Sequence, residues 1–139
     1  IVPVLCVGET ADDLEAQGPP AGSVAQLWTA REGISAEPKT PGSPEIVVAY
    51  EPVWAIGSGL AATPEQAQQV CAALRVTLRE LLGDEIADAT RILYGGSVKS
   101  SNIASFLRES DVDGALVGGA SLDATEFAAI ARFQKHGGV

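Results

Sequence analysis

Apolar residues gather along the chain in four short runs, each bounded by charged residues, glycine or proline. None of these runs alternates regularly between apolar and polar positions, a pattern typical of strands that are buried on both faces of a parallel sheet. We therefore expect four buried β-strands, at IVPVLCVG (1–8), EIVVAYE (45–51), RILYGG (91–96) and DGALVGG (113–119).

Helical periodicity fills most of the chain between these runs. The clearest helix is predicted over 63–83, because Thr63 is suited to cap its N-terminus and Gln66 to complete a capping box. Pro64 fits the first helical position, and Gly83 is a typical C-terminal stop. The remaining helices are predicted at 10–17, 23–33, 100–110 and 123–136, and a loop rich in Pro, Gly and Ser at 35–44.

The order of these elements is a βα unit repeated four times. It predicts a single α/β domain over residues 1–139, with units that begin near residues 1, 45, 91 and 113. Right-handed crossovers would make the strands parallel. Two architectures fit this order, an open doubly wound sheet of four strands and half of an eight-stranded (β/α) barrel. Periodicity alone does not choose between them.

Composition narrows the class of partner. The 139 residues are 46% hydrophobic, which suits one compact domain. A net charge of -9 and a pI near 4.4 argue against a basic binding patch, so we expect no nucleic-acid or membrane partner. No apolar run approaches the ~18 residues that cross a membrane, and no stretch resembles a signal peptide. An acidic chain can still bind an anionic metabolite through backbone N–H groups and helix N-termini.

The cysteines and the single histidine suggest neither a disulfide framework nor a metal site. Two cysteines are too few for such a framework, which favours a reducing, cytoplasmic setting. Cys6 is most simply a small buried apolar residue. No spacing of Cys and His136 matches a set of metal ligands, so we expect no metal and no other cofactor.

The predicted strands end in glycine or charged residues, and parallel strands bring these ends to the edge of the sheet where ligands bind. The third strand ends in Gly95 and Gly96, and the fourth in Gly118 and Gly119. Glycine lets backbone N–H groups approach an oxyanion closely, and a following helix adds positive potential. The two turns predict a phosphate site or, with equal weight, two simple tight βα turns.

Glu51 closes the second predicted strand. A carboxylate there can act as a general base whose pKa is raised by loss of water. The simpler interpretation is a strand-end Glu that pairs with a Lys or caps a helix. The next residues favour function, because Pro52 stiffens one end of a loop in which Gly57 and Gly59 allow movement. With the small hinge residue Ala62 at the other end, the loop has the features of an active-site lid.

The combination of YEPVWAIG, YGGS and LVGGASL resembles triosephosphate isomerases. The matching stretches VLCVGET, AYEPVWAIGSG, TPEQAQQV, RILYGGSVK and DGALVGGASLD stand in family order and spacing, across all four βα units. Because the family folds as a (β/α)8 TIM barrel, the resemblance implies that this chain supplies its C-terminal (βα)4 half, strands five to eight. It also implies a small phosphorylated triose as substrate, a place in glycolysis and gluconeogenesis, and a homodimeric parent protein.

The resemblance implies a role for each matched residue. Glu51 matches the base that moves a proton between adjacent carbons of dihydroxyacetone phosphate and glyceraldehyde 3-phosphate. Residues 52–62 match the lid, Tyr94 matches the tyrosine that latches it, and Glu9 matches the carboxylate that Trp54 of the lid approaches on closure. The matched phosphate-binding residues are Gly57, Ser97, Gly118 and Gly119, and the other matched lid residues are Pro52, Val53 and Ala62.

The chain also departs from the family. Residues 60–62 read Leu-Ala-Ala where the family commonly has Lys-Thr-Ala. The family further uses a Lys and an Asn from its first strand and a His from its fourth, and no residue here matches those roles. The unmatched candidates are Lys39, Lys99, Lys135 and His136. We therefore expect the isolated chain to be inactive, since the groups that stabilise the enediolate oxygens are missing.

Two alternatives stay open. The chain can be a non-catalytic half-barrel that binds phosphate, self-associates through its open strand edges, or pairs with the N-terminal half. A weaker alternative is a different phosphate-binding (β/α) barrel enzyme, in which the YEPVWAIG loop has no obvious place.

Overall fold

The computed structural model describes residues 1–30, 32, 46–55 and 60–133. Its four strands pair in chain order into one parallel sheet, which confirms the predicted α/β class and the half-barrel arrangement of four βα units. The strands are shorter than the apolar runs. They are β1 Val4–Val7, β2 Val47–Tyr50, β3 Ile92–Tyr94 and β4 Gly114–Ala115.

Helices follow every strand. They are α1 Ala11–Gln17, α2 Ala21–Ala30, α3 Pro64–Leu82, α4 Asp84–Ala89, α5 Ile103–Phe106 and α6 Ala124–Ala131, with 3₁₀ turns at Val53–Ala55 and Gly119–Leu122. The predicted loop at 35–44, the predicted helix end at Gly33 and residues 134–136 of the predicted last helix lie outside the described residues.

Helix α3 forms where its sequence signals predict it. The Thr63 hydroxyl accepts from the Gln66 N–H at 3.2 Å, and the Gln66 side chain accepts from the Thr63 N–H at 2.9 Å. This reciprocal pair satisfies two backbone donors that an uncapped helix would leave without partners. Gly83 ends the helix with a positive φ of 86°.

The hydrophobic core lies between one face of the sheet and the helices. Tyr50 and Tyr94 are fully buried at the ends of β2 and β3, with ring centroids 6.4 Å apart. Phe106 of α5 stacks on Tyr94 at 4.1 Å. Residues of α3 cover the middle of this face, namely Val70, Cys71, Leu74 and Leu78. The core therefore fixes the carboxyl ends of the two central strands, where the candidate site begins.

The opposite face of the sheet is exposed at β1, which makes the prediction of a strand buried on both faces wrong for β1. Val4 is 46% exposed, whereas Val7, on the helix side, is 3% exposed. The prediction that Cys6 is buried is also wrong, since its side chain is exposed on the same face as Val4. This exposure is expected of four strands with helices on one side, because a closed barrel would enclose the other face.

Two helical predictions also need correction. A short helix, α4, follows Gly83 directly, where no helix was predicted. The helix predicted at 100–110 is reduced to Ile103–Phe106. Its first residues are held in turns instead, because Ser100 bonds to Glu126 and the Asn102 side chain bonds to backbone atoms of Ser97 and Lys99. Such side-chain bonds compete with helix formation.

Candidate functional site

Glu51 lies at the carboxyl end of β2, where the ladders to both neighbouring strands close. Its N–H donates to the Val7 carbonyl at 2.8 Å, and the Gly95 N–H donates to the Tyr50 carbonyl at 2.8 Å. A Cβ at Gly95 would lie 2.7 Å from Cγ of Glu51, and a Cβ at Gly8 would overlap the Glu51 carbonyl oxygen. Glycine at positions 8 and 95 therefore leaves the space that Glu51 occupies.

Cys6 is the titratable neighbour of Glu51. Partial burial raises the pKa of the Cys6 thiol, and the charge of Glu51 and a hydrogen bond between the two side chains raise it further. Cys6 pairs with Ala49, two residues before Glu51, and so side-chain alternation puts Cys6 and Glu51 on the sheet face opposite the core residue Tyr50.

A cavity of about 640 Å³ is lined by Pro52, the residue after Glu51, and by Gly95, against which the Glu51 side chain packs. Its wall is built from the Gly95–Gly96 turn, the Gly118–Gly119 turn and the start of the predicted lid. The lining residues are Pro52, Ala55, Gly95, Gly96, Ser97, Val98, Lys99, Gly118, Gly119, Ala120 and Glu126. The structure therefore brings the two glycine turns together, as their strand-end positions predict.

Charged side chains of opposite sign contribute to this wall. Glu126 of α6 accepts hydrogen bonds from the N–H and hydroxyl of Ser100, at 2.7 and 2.9 Å, and so its carboxylate is engaged by the turn after β3. Lys99 is exposed and also lines the cavity. The sequence interpretation gave Glu126 no role, because its partner Ser100 is 26 residues away in the chain. It gave Lys99 none, because Lys99 matches no role of the family.

Glu9 lies on the core side of the site. It is fully buried, and its Oε1 accepts from the Ser23 hydroxyl at 2.5 Å, while its backbone carbonyl accepts from the Trp54 N–H at 3.1 Å. Burial raises the pKa of the neighbouring Tyr50 well above its usual range, the charge of Glu9 adds to this, and Trp54 partly offsets it. Neither Oε2 of Glu9 nor Nε1 of Trp54 meets strict hydrogen-bond geometry with a described residue.

Tyr94 reaches toward the far end of the predicted lid. Burial raises the pKa of its hydroxyl, and the nearby Ala62 N–H partly offsets that rise. Within strict geometric limits the hydroxyl has no hydrogen-bond partner among the described residues. The structure thus puts Tyr94 next to Ala62, the predicted hinge residue, as a close neighbour rather than through a formed bond.

The body of the predicted lid is described in part. Pro52 is buried, and Val53 and Trp54 lie in the 3₁₀ turn that follows, with Val53 41% exposed. Gly57, the predicted lid contact to phosphate, lies outside the described residues.

Among the described residues of this chain, no group of three or more Cys, His, Asp or Glu is placed to hold a metal ion. No helix in the described ranges is long and apolar enough to span a membrane.

Comparison with known proteins decides the family. The family model for triosephosphate isomerase matches residues 1–134. The chain belongs to the triosephosphate isomerase family. The triosephosphate isomerase of Leifsonia xyli subsp. xyli is 66% identical over 136 residues, which are 98% of this chain and 50% of that protein.

Less similar members of the family also match nearly the whole of this chain with about half of their own length. The triosephosphate isomerase of Saccharopolyspora erythraea is 56% identical over 125 residues, covering 90% of this chain and 46% of that protein. That of Streptomyces avermitilis is 49% identical over 134 residues, or 96% of this chain and 50% of that protein. The chain spans about half the length of the triosephosphate isomerases that it matches.

The sequence predicts the helix that supports this edge of the isomerase fold, α2, but gives no role to two of its side chains. Ser23 and Gln26 of α2 bond to Glu9 and to the Gly8 peptide respectively. They are three positions apart, and so they share one face of the helix. That spacing is visible in the sequence, but their partners are 14 and 18 residues away and are set by tertiary packing.

Proposed function

We propose that this chain provides the base and the phosphate-binding part of a triosephosphate isomerase site. Glu51 takes a proton from the carbon beside the carbonyl of dihydroxyacetone phosphate and returns it to the adjacent carbon, which gives glyceraldehyde 3-phosphate. A carboxylate is suited to this task because it can accept and then release one proton within reach of both carbons. A cytoplasmic setting is part of the proposal, in keeping with the free thiols of Cys6 and Cys71.

One observation carries the proposal: the Glu51 side chain packs on Gly95, and Gly95 lines the cavity that the two glycine turns enclose. A small phosphorylated substrate bound there has its anionic group at the turns and its carbon chain near the carboxylate. The backbone N–H groups of Ser97, Gly118 and Gly119 are the proposed phosphate donors, with Gly57 of the lid. We propose Tyr94 and Glu9 as the latch residues, for Ala62 and Trp54 respectively.

The proposed chemistry also needs groups that this chain does not contain. Negative charge develops on both substrate oxygens as the enediolate forms, and polar or cationic groups must stabilise that charge. By resemblance these groups are a Lys and a His that match nothing in this sequence. We therefore propose that turnover requires four further βα units, such as an N-terminal half, and that the complete protein is a homodimer.

A chimera tests the proposed function. In it, this chain replaces the matching half of the Leifsonia xyli relative, and turnover of glyceraldehyde 3-phosphate is measured. We expect an active isomerase in which E51Q lowers kcat by about 10²–10⁴-fold, the usual contribution of a general base. E15Q is the matched control, because Glu15 is exposed on α1. A chimera whose kcat is the same with E51Q as with E15Q would contradict the proposal.

The open sheet favours a second candidate function, a self-associating half-barrel. Strands β1 and β4 each pair with one described strand, which leaves one edge of each without a partner among the described residues. Open strand edges and exposed apolar side chains such as Val4 promote pairing with another chain. Two copies that joined β1 to β4 at both seams would close eight strands into a barrel.

Light scattering of the 139-residue chain tests this candidate. Self-association predicts a mass near 28.6 kDa, twice the 14.3 kDa of one chain, that falls on dilution. V4D should lower the dimer fraction, because it puts a charge on the exposed face, whereas D12N on α1 should leave it unchanged. A strict monomer at high concentration would rule the second candidate out.

A further inference from the structure

The Gly8 peptide, at the end of β1, is held by a side chain rather than by the sheet. The ladder from β1 to β2 closes at the bond from the Glu51 N–H to the Val7 carbonyl. Beyond it, the Gly8 N–H donates to Oε1 of Gln26 at 2.9 Å, and Nε2 of Gln26 donates to the Gly8 carbonyl at 3.0 Å. One amide side chain therefore satisfies both backbone groups of a buried residue, which would otherwise lack partners at the end of the ladder.

The clamped peptide packs directly against the backbone of Glu51. A Cβ at position 8 would overlap the Glu51 carbonyl oxygen, would lie 2.7 Å from the Glu51 carbonyl carbon and would lie 3.3 Å from Cγ2 of Val53. With no side chain between them, any movement of the Gly8 peptide is transmitted to Glu51 and to the first residues of the lid.

Helix α2 holds the next residue as well. Ser23, one turn before Gln26, donates to the buried Glu9 carboxylate at 2.5 Å. The space beside this contact is filled by close packing, since a Cβ at Gly22 would lie 3.3 Å from Cγ of Glu9. Two side chains on one helix face thus fix consecutive residues at the end of β1, and Gln26 is the one whose partner touches Glu51.

We propose that Gln26 is a positioning residue for Glu51, acting through the Gly8 peptide. Gln26 does not touch the cavity; it sets the position of the backbone against which Glu51 is seated. This inference rests on the proposed function, since the position of Glu51 matters for catalysis only if Glu51 is the base. The position itself can be measured without any catalytic assay.

The pKa of the Cys6 thiol reports the position of the Glu51 carboxylate. This thiol is exposed, whereas Cys71 is buried, so a small alkylating reagent reacts selectively with Cys6. Among the described groups, Glu51 is the charged residue that raises the pKa of this thiol. The thiolate is the reacting species, so the pH dependence of iodoacetamide alkylation gives the pKa of Cys6. E51Q gives the value with the carboxylate charge removed.

The experiment compares Q26M with T29V in the 139-residue chain. Methionine keeps the length of the side chain and removes both bonds to Gly8. Thr29, on the same helix, bonds to the Ala25 carbonyl and not to Gly8, so T29V removes a polar contact of α2 alone. We expect Q26M to lower the pKa of Cys6 toward the E51Q value and T29V to leave it unchanged. Each unit of that fall raises the thiolate fraction below the pKa about tenfold.

A pKa of Cys6 that is the same in Q26M, T29V and the unsubstituted chain would overturn the proposal. Circular dichroism at each pH confirms that the variants compared are folded, and if Q26M unfolds, Q26N takes its place. Q26N keeps the amide but is one methylene too short to reach both Gly8 groups. A lowered pKa of Cys6 in Q26N would support the proposal, and an unchanged pKa would overturn it. The pKa of Cys6 reports the location of Glu51 and does not depend on turnover. A failure of the positioning role of Gln26 would therefore leave the E51Q result in the chimera unchanged. A failure of the proposed base would likewise leave the pKa result unchanged.

Discussion

At Glu51, the space for the carboxylate is set by two neighbours that carry no side chain. Gly8 lies against its backbone and Gly95 against its Cγ, so both flanking strands come closer than any larger residue would allow. Neither glycine is needed for a left-handed conformation, since the positive φ angles among the described glycines are at Gly18 and Gly83. The glycines at this edge are therefore explained by close packing around one carboxylate.

Substitution of Gly95 tests this account. G95A puts a methyl group 2.7 Å from Cγ of Glu51 and 3.4 Å from the Tyr50 carbonyl oxygen. Because one of these groups must move, we expect a loss of about 1–3 kcal/mol in the free energy of unfolding, measured by urea denaturation. G119A is the control, since a Cβ there meets nothing within 4 Å. Equal stability of the two variants would show that the crowding around Glu51 is not real.

At the scale of elements, helix α3 is tied to the loops around β3 by one buried arginine. Arg75 is 5% exposed, and its Nη1 donates to the carbonyls of Ala87 and Thr90, at 2.8 and 2.6 Å. Its Nη2 donates to Asp113 at 2.6 Å and its Nε to Asp111 at 3.3 Å. The network compensates the buried charge and joins the end of α4, the start of β3 and the turn before β4 to the helix that covers the core.

This network predicts a loss of stability in acid. Partial burial alone would raise the pKa of Asp111, but hydrogen bonds from Gln68, Arg75 and Ser110 outweigh it and hold the pKa below its usual 3.8. The unfolded chain then binds a proton at a higher pH than the folded chain does. Stability from this group is therefore complete above pH 3.8 and is lost as the pH falls through the lower, folded value.

The measurement is the melting temperature as a function of pH, with D111N as the test variant. We expect D111N to be less stable than the unsubstituted chain at neutral pH, with the difference shrinking below pH 3.8. D12N, at an exposed position of α1, should follow the unsubstituted chain throughout. A D111N difference that stays constant down to the acid limit would contradict the assignment.

The elements that could be predicted from the sequence are those with local signals. Helix α3 has its cap, first-turn proline and stop within its own sequence, and it forms within a residue of the prediction. The helix at 100–110 was mispredicted because Ser100 finds its partner on α6, a contact that no local pattern contains. The exposure of Cys6 has a similar cause, since it depends on what covers the sheet and not on the apolar run itself.

The candidate site likewise has parts that could be predicted from the sequence and parts that could not. Glu51 and the two glycine turns were predictable because strand ends of a parallel sheet share one edge. The support that Gln26 gives to the Gly8 peptide could not be predicted, because an exposed glutamine on a helix has no distinguishing signal until its partner is known. Whether Ser97, Gly118 and Gly119 bind phosphate stays a prediction.

At the scale of the whole molecule, the proposed base lies on a sheet of four strands, whereas the barrel of this family has eight. The sheet has one face packed by helices and an opposite face that is exposed at β1, and the chain spans about half of the length of the isomerases that it matches. We have proposed proton abstraction and phosphate binding for this half, whereas no residue of it matches the groups that stabilise the enediolate. We therefore propose that the 139-residue chain contributes a necessary part of the site and not a sufficient one.

The most direct measurement is the turnover of glyceraldehyde 3-phosphate by the isolated 139-residue chain, beside the chimera that completes the barrel. We expect no turnover above the buffer rate for the isolated chain and Glu51-dependent turnover for the chimera. An isolated chain that turns over substrate at a rate close to that of the chimera would contradict this expectation.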